Sequence, residues 1–359
     1  VKDKADLSFT WYNSRTSGVI LQFPLPPSTG FLFEQRNAGE FRNRGIEVTL
    51  NVRPITTKDF GWDLGFQFAR NRNKVLNIVG ADTSSFIELP GAFLLSQGVQ
   101  IGQPFGTMRG LGLVKCGITP DVDALVGDTS CDTAPKGALY IGADGFPIQD
   151  PNVRNIGDPN YDWTGSARTT FRIKGFQVSS LVDVRNGGVV WNGTRGALLS
   201  YGTHAETANR AVCTAPTAGA RRCLAYSGNE HTFGTDFWFI GPVAGPGAGT
   251  AVPIGEQWYR QGPANVFVGN DEDMLQDAGF VRLREVSLQY TLDQPWVRRA
   301  LGFSSIDLRV AGRNLLTSTN YTGLDPETNL GQGEQTRRGV DYFNNPQSRS
   351  FVFTVTLNR

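Results

Sequence analysis

The stretch Val286–Leu292, "VSLQYTL", constrains this chain more than any other. Apolar Val286, Leu288, Tyr290 and Leu292 alternate with Ser287, Gln289 and Thr291 without a slip. Successive strand side chains point to opposite faces, so this is a strand with one apolar and one wet face. The apolar face has two possible partners: the core of a soluble sandwich, or lipid.

The same test along the chain gives eight strands, at 5–12, 45–53, 60–69, 162–174, 176–185, 286–292, 305–311 and 351–357. Their apolar sides carry Ile46, Val48 and Leu50, then Trp62, Leu64 and Phe66, then Phe171 and Val182. Leu288, Tyr290, Leu308 and Phe353 continue the series. Short connections, Pro54 to Asp59, Lys174-Gly175 and Asp293 to Ser304, alternate strictly with long gaps at 13–44, 70–161, 186–285 and 312–350. Compact domains avoid structureless loops beyond roughly 12–15 residues, whereas outer-membrane barrels have short periplasmic turns and long extracellular loops. Aromatics near strand ends (Phe60, Trp62, Trp163, Phe176, Tyr290, Phe351) stand where a membrane girdle would place them. Lipid is therefore the preferred partner of the apolar faces. The expected fold is all-β: an antiparallel transmembrane β-barrel wall of about eight to ten strands, both chain ends facing the periplasm.

Composition agrees. No run reaches the roughly 18 apolar residues of a spanning helix, and 43 glycines with 11% aromatics suit strands and turns. With 34 basic and 33 acidic residues, no sequence-wide field favours nucleic acid. There is no G-x-S-x-G, and His204 and His231 stand in no catalytic pattern, so no enzyme is expected. The glycines of 241–253 miss the phosphate-cradling spacing, and 143–150 misses the calcium-loop spacing, so no cofactor or metal is assigned.

Cys116 and Cys131 flank one Gly/Asp/Pro-rich loop, and Cys213 and Cys223 flank another. Two disulfides closing short loops, in an oxidising compartment, are preferred to four buried thiols. The chain opens at Val1 and is strand-like by its fifth residue, which reads as a processed product or the C-terminal part of something longer.

Three stretches carry a resemblance: "NAGEFRNRGIEVTLNVRP" with "FGWDLGFQFARNRNKVLNI", "IGDPNYDWTGSARTTFRIKGFQVSSLVDVRNGG", and the C-terminal "GFVRLREVSLQYTL … RSFVFTVTL". In that order they resemble the end of SusC/RagA-type TonB-dependent outer-membrane transporters. The resemblance implies a Gram-negative outer-membrane barrel carrying oligosaccharides or peptides inward, powered through the TonB complex. It also implies a SusD-like surface lipoprotein as partner. The family's N-terminal plug and first barrel strands have no counterpart in residues 1–359, so the chain reads as the C-terminal wall and surface loops. A passive pore or a surface adhesin built on the same strands is the alternative.

Candidate substrate contacts are Trp191, Trp238, Trp258 and Tyr259 in the 186–285 connection, whose rings could stack on sugars. Packing of a loop's own small core is the favoured explanation of these aromatics. Asp325 and Glu327 in "NYTGLDPETN" could line an extracellular entrance, but turn formation is the favoured explanation, since Asp-Pro and Thr-Gly are turn dipeptides.

Overall fold

The computed structural model describes all residues except 1–3, 90–94, 210, 214–222, 226–242, 248–255, 261, 263, 269 and 331–337. Eight long strands form one sheet: β1 (Ala5–Pro24), β2 (Phe33–Thr56), β3 (Phe60–Ile78), β4 (Trp163–Ile173), β5 (Phe176–Asn186), β6 (Phe280–Leu292), β7 (Ser305–Thr319) and β8 (Ser350–Asn358). Every neighbouring pair is antiparallel and the spatial order is the sequence order. All eight expected strands are present, and the fold is the wall of an all-β barrel.

Register puts the apolar positions on one face. Phe9 pairs with Val48 and Val48 with Phe68; Trp62 pairs with Phe171, Phe171 with Val178 and Val178 with Leu288. Leu288 then pairs with Val310, and Val310 with Phe353, closing the row across the sheet. Aromatic rings cluster at the short-turn end, where Trp62 stacks on Phe171 at 5.4 Å and Phe176 lies 4.4 Å from Tyr290. On β3 the apolar positions run from Phe60 to Phe68, ~27 Å along the strand, close to the ~25 Å apolar band of such barrels. Arg70 follows on the same face, opposite Ile46.

The opposite face is held by side-chain hydrogen bonds. Ser179 meets Ser287 at 2.7 Å, Thr291 donates to Asp307 at 2.6 Å, and Arg172 reaches Asp63 at 2.6 Å.

Two expectations are corrected. The gap 13–44 is not a loop: β1 and β2 stay paired to Pro24 and Phe33, leaving only the tip between them. Residues 13–18 and 34–37 are polar on both faces and are held by the backbone ladder, while Leu21, Phe23, Ala38 and Phe41 beyond them pack into a core with Val75, Ile78 and Val99. Likewise, 70–161, 186–285 and 312–350 are not structureless. β3, β6 and β7 extend into them, and their described residues form further short strands and helices.

The long connections emerge at the same end of the sheet as the β1–β2 tip and build a shared core. Leu95 and Met108 from the first, Trp191, Leu199, Val266 and Met274 from the second, and Val340 from the third pack together. Val189–Asn192 pairs antiparallel with Leu275–Asp277 and parallel with Val340–Asp341. A four-stranded sheet of Phe86–Glu88, Ser96–Gln100, Thr107–Gly110 and Arg154–Gly157 stands beside it.

Candidate functional site

A cavity of about 450 Å³ opens where the three long connections meet the polar face of the wall. The wall contributes Ala69, Thr164 and Arg185, which are successive cross-strand partners on β3, β4 and β5. The connections add Asp158, Asn160 and Tyr161 from the first, Val189, Val190 and Ala278 from the second, and Glu327, Asn329, Arg338 and Gly339 from the third. Its lining mixes amide, guanidinium and carboxylate groups with Val189, Val190, Ala278 and the ring of Tyr161.

Backbone geometry fixes several of these groups. Asp158 accepts from the backbone N–H of Asn160 at 2.9 Å and from its side-chain amide at 2.7 Å. Asn329 accepts from the Gly339 N–H at 2.6 Å, which closes the third connection on itself. Arg185 sits 5.8 Å over the Tyr161 ring, and burial raises the Tyr161 phenol above its ordinary pKa.

The floor beside the cavity is an ion-pair network. Arg282 of β6 donates to Asp325 at 2.6 Å and to Glu327 at 2.9 Å. Arg284 donates to Glu327 at 2.6 Å and to Asp183 at 2.8 Å. Burial opposes ionisation of Asp325, but the Arg282 guanidinium and the N–H groups of Glu327 and Gln347 outweigh it and hold the carboxyl below its usual range. Nearby, burial and the Asp341 carboxylate push the Tyr321 phenol well above its ordinary range.

The expected contact residues fare unevenly. Trp191 is fully buried in the connection core and offers no ring face to a ligand, which corrects its assignment as a stacking platform. Tyr259 is buried in that core, and Trp258 packs against it half-buried. Packing explains these aromatics, because a connection of this length needs its own apolar centre. Trp238 lies outside the described residues. Asp325 is also buried, so it anchors the connection to β6 rather than lining an entrance. Glu327 lines the cavity and is bound to the network at the same time.

The twelve positions expected to meet lipid, from Ile46 to Phe353, all belong to strands of the wall and none is in its buried set. Cys116 and Cys131 form a disulfide. Cys213 and Cys223 face each other in a two-stranded ladder, and their side chains lie outside the described residues. Arg72, Arg185 and Arg338 were not singled out as contacts from the sequence. Nothing in local spacing announces that three distant arginines share one cavity.

No protein-family model matches the chain. TonB-dependent receptor P3 of Formosa agariphila is 29% identical over 368 aligned positions, covering 99% of this chain and 32% of the relative. TonB-dependent receptor SusC of Bacteroides thetaiotaomicron is 33% identical over 76 positions, 21% of this chain and 8% of that protein. The RagAB peptide importer in its closed-closed state shares the fold, with a TM-score of 0.63 at 17% identity, over 99% of this chain and 34% of that one. The chain thus spans about a third of the length of the curated relatives it matches over its full extent. Eight antiparallel strands in sequence order, three folded connections at one end, and matches to TonB-dependent receptors along nearly its whole length agree with one another. Along nearly its whole length the chain is similar to TonB-dependent receptors, and it shares the fold of about a third of the RagAB importer chain.

Proposed function

We propose that the chain forms the C-terminal wall and surface connections of a TonB-dependent importer in a Gram-negative outer membrane. Its cargo is a large polar nutrient, an oligosaccharide or a peptide. The observation that carries this reading is the single apolar face, unbroken from Phe9 on β1 to Phe353 on β8, backed by a hydrogen-bonded polar face. A sandwich strand would bury that apolar face against a second sheet, yet Phe9, Leu288 and Phe353 are exposed. Acyl chains on one side and a water-filled lumen on the other satisfy both faces.

An open sheet in lipid leaves unpaired backbone groups along β1 and β8, at several kcal/mol each. Further strands must therefore complete the barrel. A total of about 22 fits a plugged transporter, and the plug and TonB-contacting segment belong to another part of the same protein. A SusD-like lipoprotein would close over the folded connections. Similarity to TonB-dependent receptors, SusC among them, and the shared fold with the RagAB importer support these partners.

The test is nutrient-dependent growth of cells carrying the complete gene, with and without a working TonB, on defined oligosaccharides and peptides. Growth that needs the receptor and needs TonB is the expected result. Uptake indifferent to TonB would favour a passive pore, and no uptake of any solute would favour an adhesin.

A further inference from the structure

We infer that the cavity at the connection end is a subsite for an anionic group of the cargo, a carboxylate or a sulfate ester. The inference rests on the importer reading and follows from counting hydrogen-bond capacity around the cavity. Three guanidinium groups line it: Arg72, Arg185 and Arg338. Each carries five N–H donors. Arg72 engages Asp162 through one terminal nitrogen at 2.5 Å, and Arg185 engages Asp183 through one at 3.3 Å. Arg338 has no side-chain partner among the described residues, although its backbone carbonyl accepts from Gln97 at 2.6 Å.

The carboxylates of the lining are committed in comparison. Glu327 takes Arg282 and Gln347 on one oxygen, both at 2.9 Å, and Arg284 on the other at 2.6 Å. Arg282 and Arg284 lie behind the lining and neutralise Glu327 from that side. Asp158 is held by Asn160. The lining itself thus sets three guanidinium groups against two carboxylates, and although Asp162 and Asp183 each take one nitrogen of Arg72 and Arg185, further N–H donors of the three guanidiniums are uncommitted among the described contacts. Guanidinium donors pair best with planar or tetrahedral oxyanions, which accept two bonds at once. Tyr161 adds an apolar wall on which a sugar ring or a peptide side chain rests beside the charge.

The test uses the complete receptor in detergent and three pairs of probes that differ only in charge. These are oligogalacturonate and its methyl ester, a κ-carrageenan oligosaccharide and its desulfated product, and tetra-alanine with a free or an amidated C-terminus. Binding is measured by calorimetry at low and high salt. At least one charged member should bind tenfold or more tightly than its neutral partner, and the pair that responds tells uronate, sulfate and peptide carboxylate apart. Arg338→Gln should remove most of that preference while leaving the neutral member unchanged, and Arg338→Lys should restore part of it. Arg338 is exposed, and an unchanged tryptic digestion pattern would show that the variants remain folded. Equal binding within every pair, no binding of any charged probe, or a preference that survives Arg338→Gln would overturn the subsite. TonB-dependent growth, scored separately, would leave the importer reading standing in each of those cases.

Discussion

Arg282 on β6 and Asp325, 43 residues later, meet at 2.6 Å with their side chains only 2% and 5% exposed. This pair, widened by Glu327 and Arg284, fastens the last long connection to the wall. Removing one partner of a buried pair strands the other charge, at about 3–5 kcal/mol. Arg282→Met should loosen residues 320–330, read as faster hydrogen exchange and new protease cleavage there. The double variant Arg282→Met/Asp325→Leu should recover much of the loss. If the single variant exchanges no faster than the parent, the pair does not hold the connection.

Leu288 is an exposed member of the apolar band, flanked by Val178 and Val310 in register. An arginine facing mid-bilayer costs roughly 2–4 kcal/mol in such barrels. Leu288→Arg in the complete receptor should reduce folding into liposomes accordingly, whereas Gln289→Arg on the opposite face should be tolerated. Equal yields for the two variants would contradict a lipid contact at Leu288.

The Cys116–Cys131 disulfide closes a span of 15 residues around a small core of Val114, Ala138 and Tyr140. Cross-linking a span of that length contributes about 3 kcal/mol on the chain-entropy account. Cys116→Ser should leave the eight-stranded wall intact and expose the 117–137 segment to proteolysis. A peptide map run without reductant should show the linked pair in the parent, and two free thiols there would refute the bridge.

Asp271 clasps the first two connections together. Its carboxylate accepts from the Leu111 N–H at 3.1 Å, and its own N–H donates back to the Leu111 carbonyl at 3.0 Å. Burial pushes its pKa up to about 6, against that hydrogen bond. Facing charges are Glu272, bound to Lys115 and Arg154, then Asp150 on Arg154, and Asp273 on Asn270. Because the folded pKa lies above the unfolded value of roughly 3.9, the proton favours the clasped state. Its contribution is full below pH ~4 and is lost as pH rises through about 6. Protection factors at 110–112 and 270–274, with the intrinsic pH dependence of amide exchange divided out, should therefore fall between pH 5 and 7, and Asp271→Asn should flatten that dependence. A slope that persists in Asp271→Asn would assign it to another group.

Much of the wall was legible in the sequence because a strand with one apolar and one polar face is written in alternate residues. Val286–Leu292 shows its two faces without reference to any partner. The upper halves of β1 and β2 were not legible, since residues 13–18 and 34–37 are polar on both sides, the pairing shifts register after Ser17, and Leu21, Phe23, Ala38 and Phe41 find their apolar partners in Val75, Ile78 and Val99 far along the chain. Trp191 was ambiguous for a related reason. A ring in a long Gly-rich connection looks the same in sequence whether it packs inward or faces a ligand. Only the meeting of Met108, Met274 and Val340 around it decides.

By itself, then, the sequence determined which residues could touch lipid, where the strands lie and which turns are short, because these depend on neighbours one or two positions apart. Tertiary structure alone decided that Arg72, Arg185 and Arg338 share a cavity and that Arg282 reaches Asp325. Those encounters join residues dozens to hundreds of positions apart. They follow from how the folded connections settle on the wall, which no local pattern encodes.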